Sequence, residues 1–216
     1  MDQFTTWDIV RNLLLATRWT ILLSVIAFAG GGIAGFAIML LRISDLKVLR
    51  VASIAYIDVL QGTPLLMQLF LCFFGISLLG LEVSPLIAAS IALTAYTSAY
   101  LAEIWRGCVE AIPKGQREAA ESLGFRFIDT LRYVILPQAV RIAVAPTVGF
   151  SVQVVKGTAL ASIIGFVELT KAGTIITNAT YKPFLVYGFV AIIYFALCYP
   201  LSAWSRSFER SLRAAH

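Results

Sequence analysis

Several long stretches of the chain carry no charged residue, and their lengths match the thickness of a membrane. An α-helix rises about 1.5 Å per residue, so about 20 apolar residues cross a hydrocarbon layer of about 30 Å. Asp58 and Lys156 each interrupt an otherwise apolar pattern. The pattern predicts five membrane-spanning helices, at about residues 19–41, 51–81, 83–105, 139–165 and 183–205.

The composition indicates an all-α integral membrane protein. Of the 216 residues, 59% are hydrophobic and 13% are charged, and the mean hydropathy is +0.85. Soluble domains carry about 25% charged residues, so a soluble domain, a disordered chain and a collagen-like chain are excluded. The basic residues lie mostly in loops between the spans, and no nucleic-acid-binding face is expected. Residues 19–205 are interpreted as a single transmembrane domain.

The distribution of Lys and Arg predicts the orientation in the membrane. Twelve of the 17 fall in the first loop, the long third loop and the C-terminal tail, which the five spans place on one side. Four fall on the other side, and Lys156 lies within a span. Cytoplasmic loops are enriched in Lys and Arg. We therefore predict an N-terminus on the outside and a cytoplasmic tail formed by residues 206–216.

Ahead of the first span, four apolar residues recur at intervals of three or four: Phe4, Trp7, Val10 and Leu14. Residues 1–18 are interpreted as an amphipathic segment on the outer surface. The alternative is an ordered start to the first span.

The loop 106–138 is too long and too polar for a simple connection. Residues from Lys114 onward favour helix, and Gly124 suits a left-handed stop, so one short helix is predicted here. A face of small and apolar residues is flanked by charged ones, namely Ala119, Ala120 and Leu123 beside Arg117, Glu118 and Glu121. Such a face favours close approach by another protein, although packing beneath its own bundle is the alternative.

The same loop resembles a known family. Glu118-Ala119-Ala120, then Gly124, then Val134-Ile135-Leu136-Pro137 are similar in spacing to the cytoplasmic signature of permease subunits of binding-protein-dependent ABC importers. Further segments resemble the polar amino acid branch of that family: Gly62-Thr63-Pro64-Leu65-Leu66, Ala99-Tyr100-Leu101-Ala102-Glu103 and Glu168-Leu169-Thr170. The resemblance implies a type I importer permease whose cytoplasmic coupling helix lies between spans 3 and 4.

The resemblance also implies the partners. They are an ABC ATPase dimer, a second permease subunit that is identical or related, and a periplasmic solute-binding protein, all working in a lipid bilayer. ATP and Mg would be held by the ATPase, and this subunit would bind no cofactor or metal. The protein would be a multi-pass protein of the bacterial inner membrane with a periplasmic N-terminus and segment 1–18. The residues expected to couple to the ATPase are Gln116, Glu118, Ala119, Ala120, Glu121, Leu123 and Gly124.

The solute path is expected near the middle of the spans. Family members usually carry Arg before Gly-Thr-Pro, whereas Gln61 stands here and the carboxylate Asp58 is retained. Pro64 removes a backbone donor close to midplane, which indicates either a functional break or a packing kink. The full set of candidates comprises Asp58, Gln61, Thr63, Pro64, Tyr96, Tyr100, Lys156, Thr158 and Ser162.

Each of the other candidates has a structural alternative. Tyr96 and Tyr100, four residues apart, line the path or pack in the core. Lys156 holds a solute carboxylate, or else it snorkels to the interface or pairs with Glu168. Gly31 and Gly35 are interpreted as close helix packing.

The alternative functions are a self-contained ion-coupled carrier and a membrane-embedded enzyme. The sequence has no catalytic motif, no phosphate-binding loop and only three isolated cysteines, so the chain is not expected to be an enzyme.

Overall fold

The computed structural model describes the backbone of residues 5–214, and within that range every regular element is a helix. The first four residues of the predicted segment 1–18, and the last two of the predicted tail 206–216, lie outside the described residues. The helices are α1 (Thr6–Arg42), α2 (Lys47–Gly62), α3 (Leu65–Leu78), α4 (Pro85–Glu110), α5 (Lys114–Ser122), α6 (Phe127–Ser162), α7 (Leu169–Thr180) and α8 (Pro183–Ala214).

Four of these helices, α1, α4, α6 and α8, are long and apolar enough to cross a membrane. The bent pair α2–α3 passes the same test as one broken span. With that pair, the described residues provide the five crossings that the sequence predicts, in an all-helical fold.

Helix α1 continues without a break through the predicted surface segment. Thr5 and Asp8 form a capping box at its start, and nothing afterwards interrupts its 37 residues. At about 55 Å it is longer than a bilayer is thick. A different face of the segment, with Ile9 and Leu13, is buried against α7 and α8, whereas Trp7 and Leu14 of the predicted apolar face are exposed. The alternative interpretation, an ordered start to the first span, therefore describes the backbone.

The predicted span 51–81 is broken at Pro64, where the sequence indicates a break or a kink. Helices α2 and α3 meet at an angle of 103° across Thr63 and Pro64. Thr63 is extended, with φ −112° and ψ 140°, as expected for a residue that precedes proline. Pro64 ends one helix because it cannot donate to the ladder, and it starts the next.

The residues predicted as the loop 106–138 include the ends of two long helices as well as α5. Helix α4 continues to Glu110 and α6 begins at Phe127, about 12 residues before the predicted span 139–165. Residues Leu131–Ile135 form a π-helical turn just ahead of Pro137. Such a turn keeps the helix continuous where proline lacks a donor.

The two ends of the C-terminal region also differ from the sequence-based expectation. Helix α7 was not predicted; its 12 residues are too short to cross a membrane. Helix α8 continues to Ala214, so the described part of the tail 206–216 prolongs the last span as helix.

Helices α1 and α4 pack closely along their lengths. A Cβ added to Gly31 would lie 2.5 Å from Thr97 Cβ, and one added to Gly35 would lie 2.8 Å from the Ser98 carbonyl oxygen. The interpretation of these glycines as a close packing surface is confirmed.

Candidate functional site

Helix α5 lies at the end of the bundle where α4 ends and α6 begins. It stops in a Schellman motif: Gly124 N donates to Glu121 O at 2.9 Å, and Phe125 N donates to Ala120 O at 3.1 Å. Gly124 has φ +83°, a left-handed conformation that side chains with a Cβ disfavour. The left-handed stop of helix α5 therefore lies at Gly124, as the sequence predicts.

The residues predicted to couple through α5 differ in their exposure. Ala120 is 4% exposed and turns inward, where α5 rests on the π turn Leu131–Ile135. The other residues predicted to couple are exposed, namely Gln116, Glu118, Ala119, Glu121, Leu123 and Gly124. Ala120 is thus the buried member of the set, while Glu118 and Glu121 line a cavity that also involves Ile135 of α6.

An apolar patch lies beyond the end of α5. Leu123 is 79% exposed and Ile128 is 72% exposed, and Phe125 and Phe127 lie between them in the chain. We call these four residues the tip patch. Exposed charged residues lie next to it in the chain, namely Glu118 and Glu121 of α5 and Arg126 within it. An exposed apolar patch with polar residues beside it is typical of a protein-binding surface.

Charged residues form ion pairs within the last turns of α4, and Arg106 is at their centre. Its guanidinium forms ion pairs with Glu103 and Glu110, and its Nε donates to Glu103 Oε1 at 2.9 Å. Glu110 in turn lines a cavity of about 350 Å³ with Lys114 and Arg117 of the α5 side. The charged end of the third span therefore reaches the base of α5.

The break between α2 and α3 is exposed on the outside of the chain. Gly62, Thr63 and Pro64 are exposed, as is Asp58 one turn earlier. Asp58 makes no hydrogen bond or ion pair with any described residue. Gln61 donates from Nε2 to Ala99 O of α4 at 3.4 Å. Irregular backbone at membrane depth is tolerated where protein or a water-filled cavity covers it, so this surface requires a cover.

One side chain that sequence reasoning missed lies inside the break. Gln68 is buried, and its Nε2 donates to Leu60 O at 2.7 Å, to Thr63 O at 3.1 Å and to Thr63 Oγ1 at 3.0 Å. Thr63 Oγ1 also donates to Val59 O at 2.8 Å. A glutamine four residues after proline was the only available signal.

The two tyrosines of α4 pack against each other and against α6. The ring centroids of Tyr96 and Tyr100 lie 4.6 Å apart, and Tyr100 stacks on Phe150 of α6 at 5.3 Å. Of the two interpretations, the geometry matches core packing.

The candidates at the end of α6 point in different directions. Lys156 is exposed and lies on the same helical face as Gly149, which meets Ser205 of α8. Thr158 is fully buried and donates to Val155 O at 2.7 Å. Ser162 is half-buried. Between them Gly157 approaches Leu65, beside the break, so α6 and α3 meet here although these side chains do not converge.

Glu168 is a fully buried carboxylate that caps α7. It accepts hydrogen bonds from Thr170 N and Lys171 N at 2.9 Å, from Tyr194 Oη at 2.9 Å and from Thr20 Oγ1 at 3.4 Å. Burial raises the pKa of Glu168, and these hydrogen bonds oppose the shift. The cluster joins α1, α7 and α8, and the suggested pair of Glu168 with Lys156 does not form.

Known proteins resemble this chain over nearly all of its length. Residues 31–214 match the family described as binding-protein-dependent transport system inner membrane component. The chain belongs to this family. Its members are transport permeases and not enzymes, so the expectation that this chain is not an enzyme is confirmed. It is a multi-pass inner-membrane permease, and its family implies ATPase and binding-protein partners.

Two related permeases and one solved structure show which transporters this chain resembles. The permease is 34% identical to a probable glutamine ABC transporter permease of Bacillus subtilis, GlnM, over 91% of each chain. It is 31% identical to the glutamine transport system permease GlnP of Escherichia coli K12, over 98% of each chain. A crystal structure of an amino acid ABC transporter with histidines matches with a TM-score of 0.90 and 34% identity, covering 98% of this chain and 99% of that one. The type I permease fold is thereby confirmed.

Proposed function

We propose that this permease is the membrane-spanning subunit of an ATP-driven importer of a polar amino acid or a closely similar solute. The named relatives transport amino acids, and the match in length and fold is nearly complete. The observation that carries the coupling part of this proposal is α5, which is held outside the bundle with its side chains exposed around the tip patch.

Coupling would work through rigid contacts between α5 and the rest of the chain. An ATPase that binds the exposed residues of α5 would move this helix against the π turn Leu131–Ile135, which α5 contacts. Glu110, at the end of α4, lines the same cavity as Lys114 and Arg117, and the contacts around that cavity would carry the same displacement to α4. ATP can drive the cycle only by binding one arrangement of the subunits better than the other.

The solute path would run along the exposed break of α2 and α3, opposite a second permease subunit. Asp58, Gln61, Thr63 and Pro64 lie on or beside that surface. An unpaired carboxylate such as Asp58 is costly in a bilayer and favours a polar cavity or a partner. Lys156 and Ser162 remain candidates for a more distant part of the path. The orientation we propose has the N-terminus in the periplasm and α5 in the cytoplasm.

The coupling proposal is tested by a pair of glycines with the same backbone strain. Gly124 and Gly80 have φ +83° and +81°, and neither has an atom within 4 Å of an added Cβ. Gly80 precedes α4 and Gly124 follows it, so they lie at opposite ends of the bundle. A β-branched residue in this conformation costs about 1–2 kcal/mol, and valine imposes it at either site.

We expect Gly124→Val to assemble with the ATPase subunits, to lose most transport, and to lose the stimulation of ATP hydrolysis by loaded binding protein. Gly80→Val should insert equally well and keep that stimulation. Both activities are measured on the purified complex in lipid vesicles. Full stimulation in Gly124→Val, or equal loss in both variants, would contradict the role of α5 in coupling.

A further inference from the structure

The break between α2 and α3 needs hydrogen-bond donors that the main chain cannot supply. In a continuous helix the Leu60 carbonyl would accept a hydrogen bond from the nitrogen of residue 64. Residue 64 is proline and has no N–H. The carbonyl of Thr63 also lacks a helical donor, because Met67 N and Gln68 N both donate to Pro64 O. Leu60 O and Thr63 O are therefore two of several carbonyl oxygens near the end of α2 that lack a helical donor, at the depth where water is scarce.

The carboxamide nitrogen of Gln68 donates a hydrogen bond to each of these two carbonyl oxygens. Its Nε2 donates to Leu60 O at 2.7 Å and to Thr63 O at 3.1 Å. Gln68 belongs to α3 and Leu60 to α2, so the side chain bridges the two helices across the break. Gln68 is 8% exposed, which shields these bonds from competing water.

An unsatisfied atom of the Gln68 side chain supports the same role. Its Oε1 is buried without a hydrogen-bond partner among the described residues. A buried unpaired acceptor is unfavourable, and reversing the amide would turn Nε2 away from the two carbonyls. In the native orientation, Nε2 of Gln68 therefore donates to the carbonyls at the break, while Oε1 of the same side chain has no hydrogen-bond partner among the described residues.

We propose that Gln68 is a positioning residue for transport, whose side-chain amide replaces the donor missing at Pro64 and holds α2 and α3 in the bent arrangement that forms the wall of the path. This inference rests on the proposed function for the location of the path. The bend itself is measurable without transport.

The bend predicts a distance between two exposed positions. Val51 of α2 is 54% exposed and Leu78 of α3 is 88% exposed, and both suit spin labels. A helical rise of 1.5 Å per residue and a bend of 103° place their backbones about 24 Å apart, whereas a straight helix would place them about 40 Å apart. The full permease complex in lipid vesicles is the sample.

Gln68→Met keeps the length of the side chain and removes the amide. We expect the distance distribution to broaden away from about 24 Å, and the maximal transport rate per assembled complex to fall about tenfold, the scale on which an unpaired buried carbonyl acts. ATP hydrolysis should persist, because α5 is untouched. Gln138→Met is the matched control: Gln138 donates from Nε2 to Val134 O at 2.7 Å inside α6, away from the break, and its loss should leave the distance unchanged.

The Pro64→Ala variant tests whether the effect of Gln68→Met depends on the N–H that proline lacks. This substitution restores a backbone N–H that can reach Leu60 O, so adding Gln68→Met to Pro64→Ala should cause little further change in distance or rate. The double variant also provides folded protein should Gln68→Met assemble poorly. An unchanged bend in Gln68→Met would overturn the proposal. It would also be overturned if Gln68→Met lowered the maximal transport rate by the same factor with proline and with alanine at residue 64. A raised half-saturating solute concentration at full maximal rate would also overturn it, because Gln68 would then be a solute ligand.

Discussion

The contact between α1 and α4 allows one substitution to be predicted from geometry. A methyl group at Gly35 would lie 2.8 Å from Ser98 O, 3.2 Å from Leu101 Cβ and 3.3 Å from Ala102 N. Two of these atoms belong to the backbone, so no rotamer change can make room. Gly35→Ala must push the two helices apart by several tenths of an ångström.

Gly32, three residues earlier on the same helix, is the control. Its added methyl would meet only the far end of the Trp105 ring, at 3.9 Å, which is ordinary contact. Both substitutions gain the same helix propensity, about 1 kcal/mol from glycine to alanine. The difference between the two variants therefore isolates the steric term, which is about 1–3 kcal/mol for an overpacked core.

The free energy of unfolding of each variant is measured by denaturant titration in mixed micelles, with helix content as the signal. We expect Gly32→Ala to match or exceed the wild-type stability, and Gly35→Ala to be less stable than Gly32→Ala by about 1–3 kcal/mol. Equal stability of the two variants would refute the reasoning, because α1 and α4 would then not be in limiting contact at Gly35.

Two further predictions concern the buried cluster and the orientation. Glu168→Ala leaves several buried donors without an acceptor and should lower the free energy of unfolding by about 3 kcal/mol or more, whereas Tyr194→Phe removes one donor and should cost about 1 kcal/mol; equal effects in the same titration would argue against the cluster. In a variant without the three native cysteines, a cysteine at exposed Asn178 should react with an impermeant thiol reagent added outside intact cells, and one at exposed Glu121 should react only after lysis; labelling of residue 121 from outside would reverse the orientation.

Features that depend on a short stretch of chain were predictable from the sequence. Span number follows from apolar length, because a bilayer accepts only stretches of about 20 such residues in helical form. The end of α5 follows from Gly124, because a left-handed stop is a property of one residue and its neighbours. The close approach at Gly31 and Gly35 follows from the absence of side chains on one helical face.

Features that depend on partners far apart in the chain were decided by the tertiary structure. Pro64 predicts a break, but the 103° turn also needs Gln68 to take the Leu60 carbonyl from across it. Glu168 resembles a surface charge in sequence, yet it is buried because Thr20, 148 residues away, donates to it together with the start of α7. Which face of a helix meets its neighbour is set by the packing of the whole bundle, and periodicity alone does not contain that information.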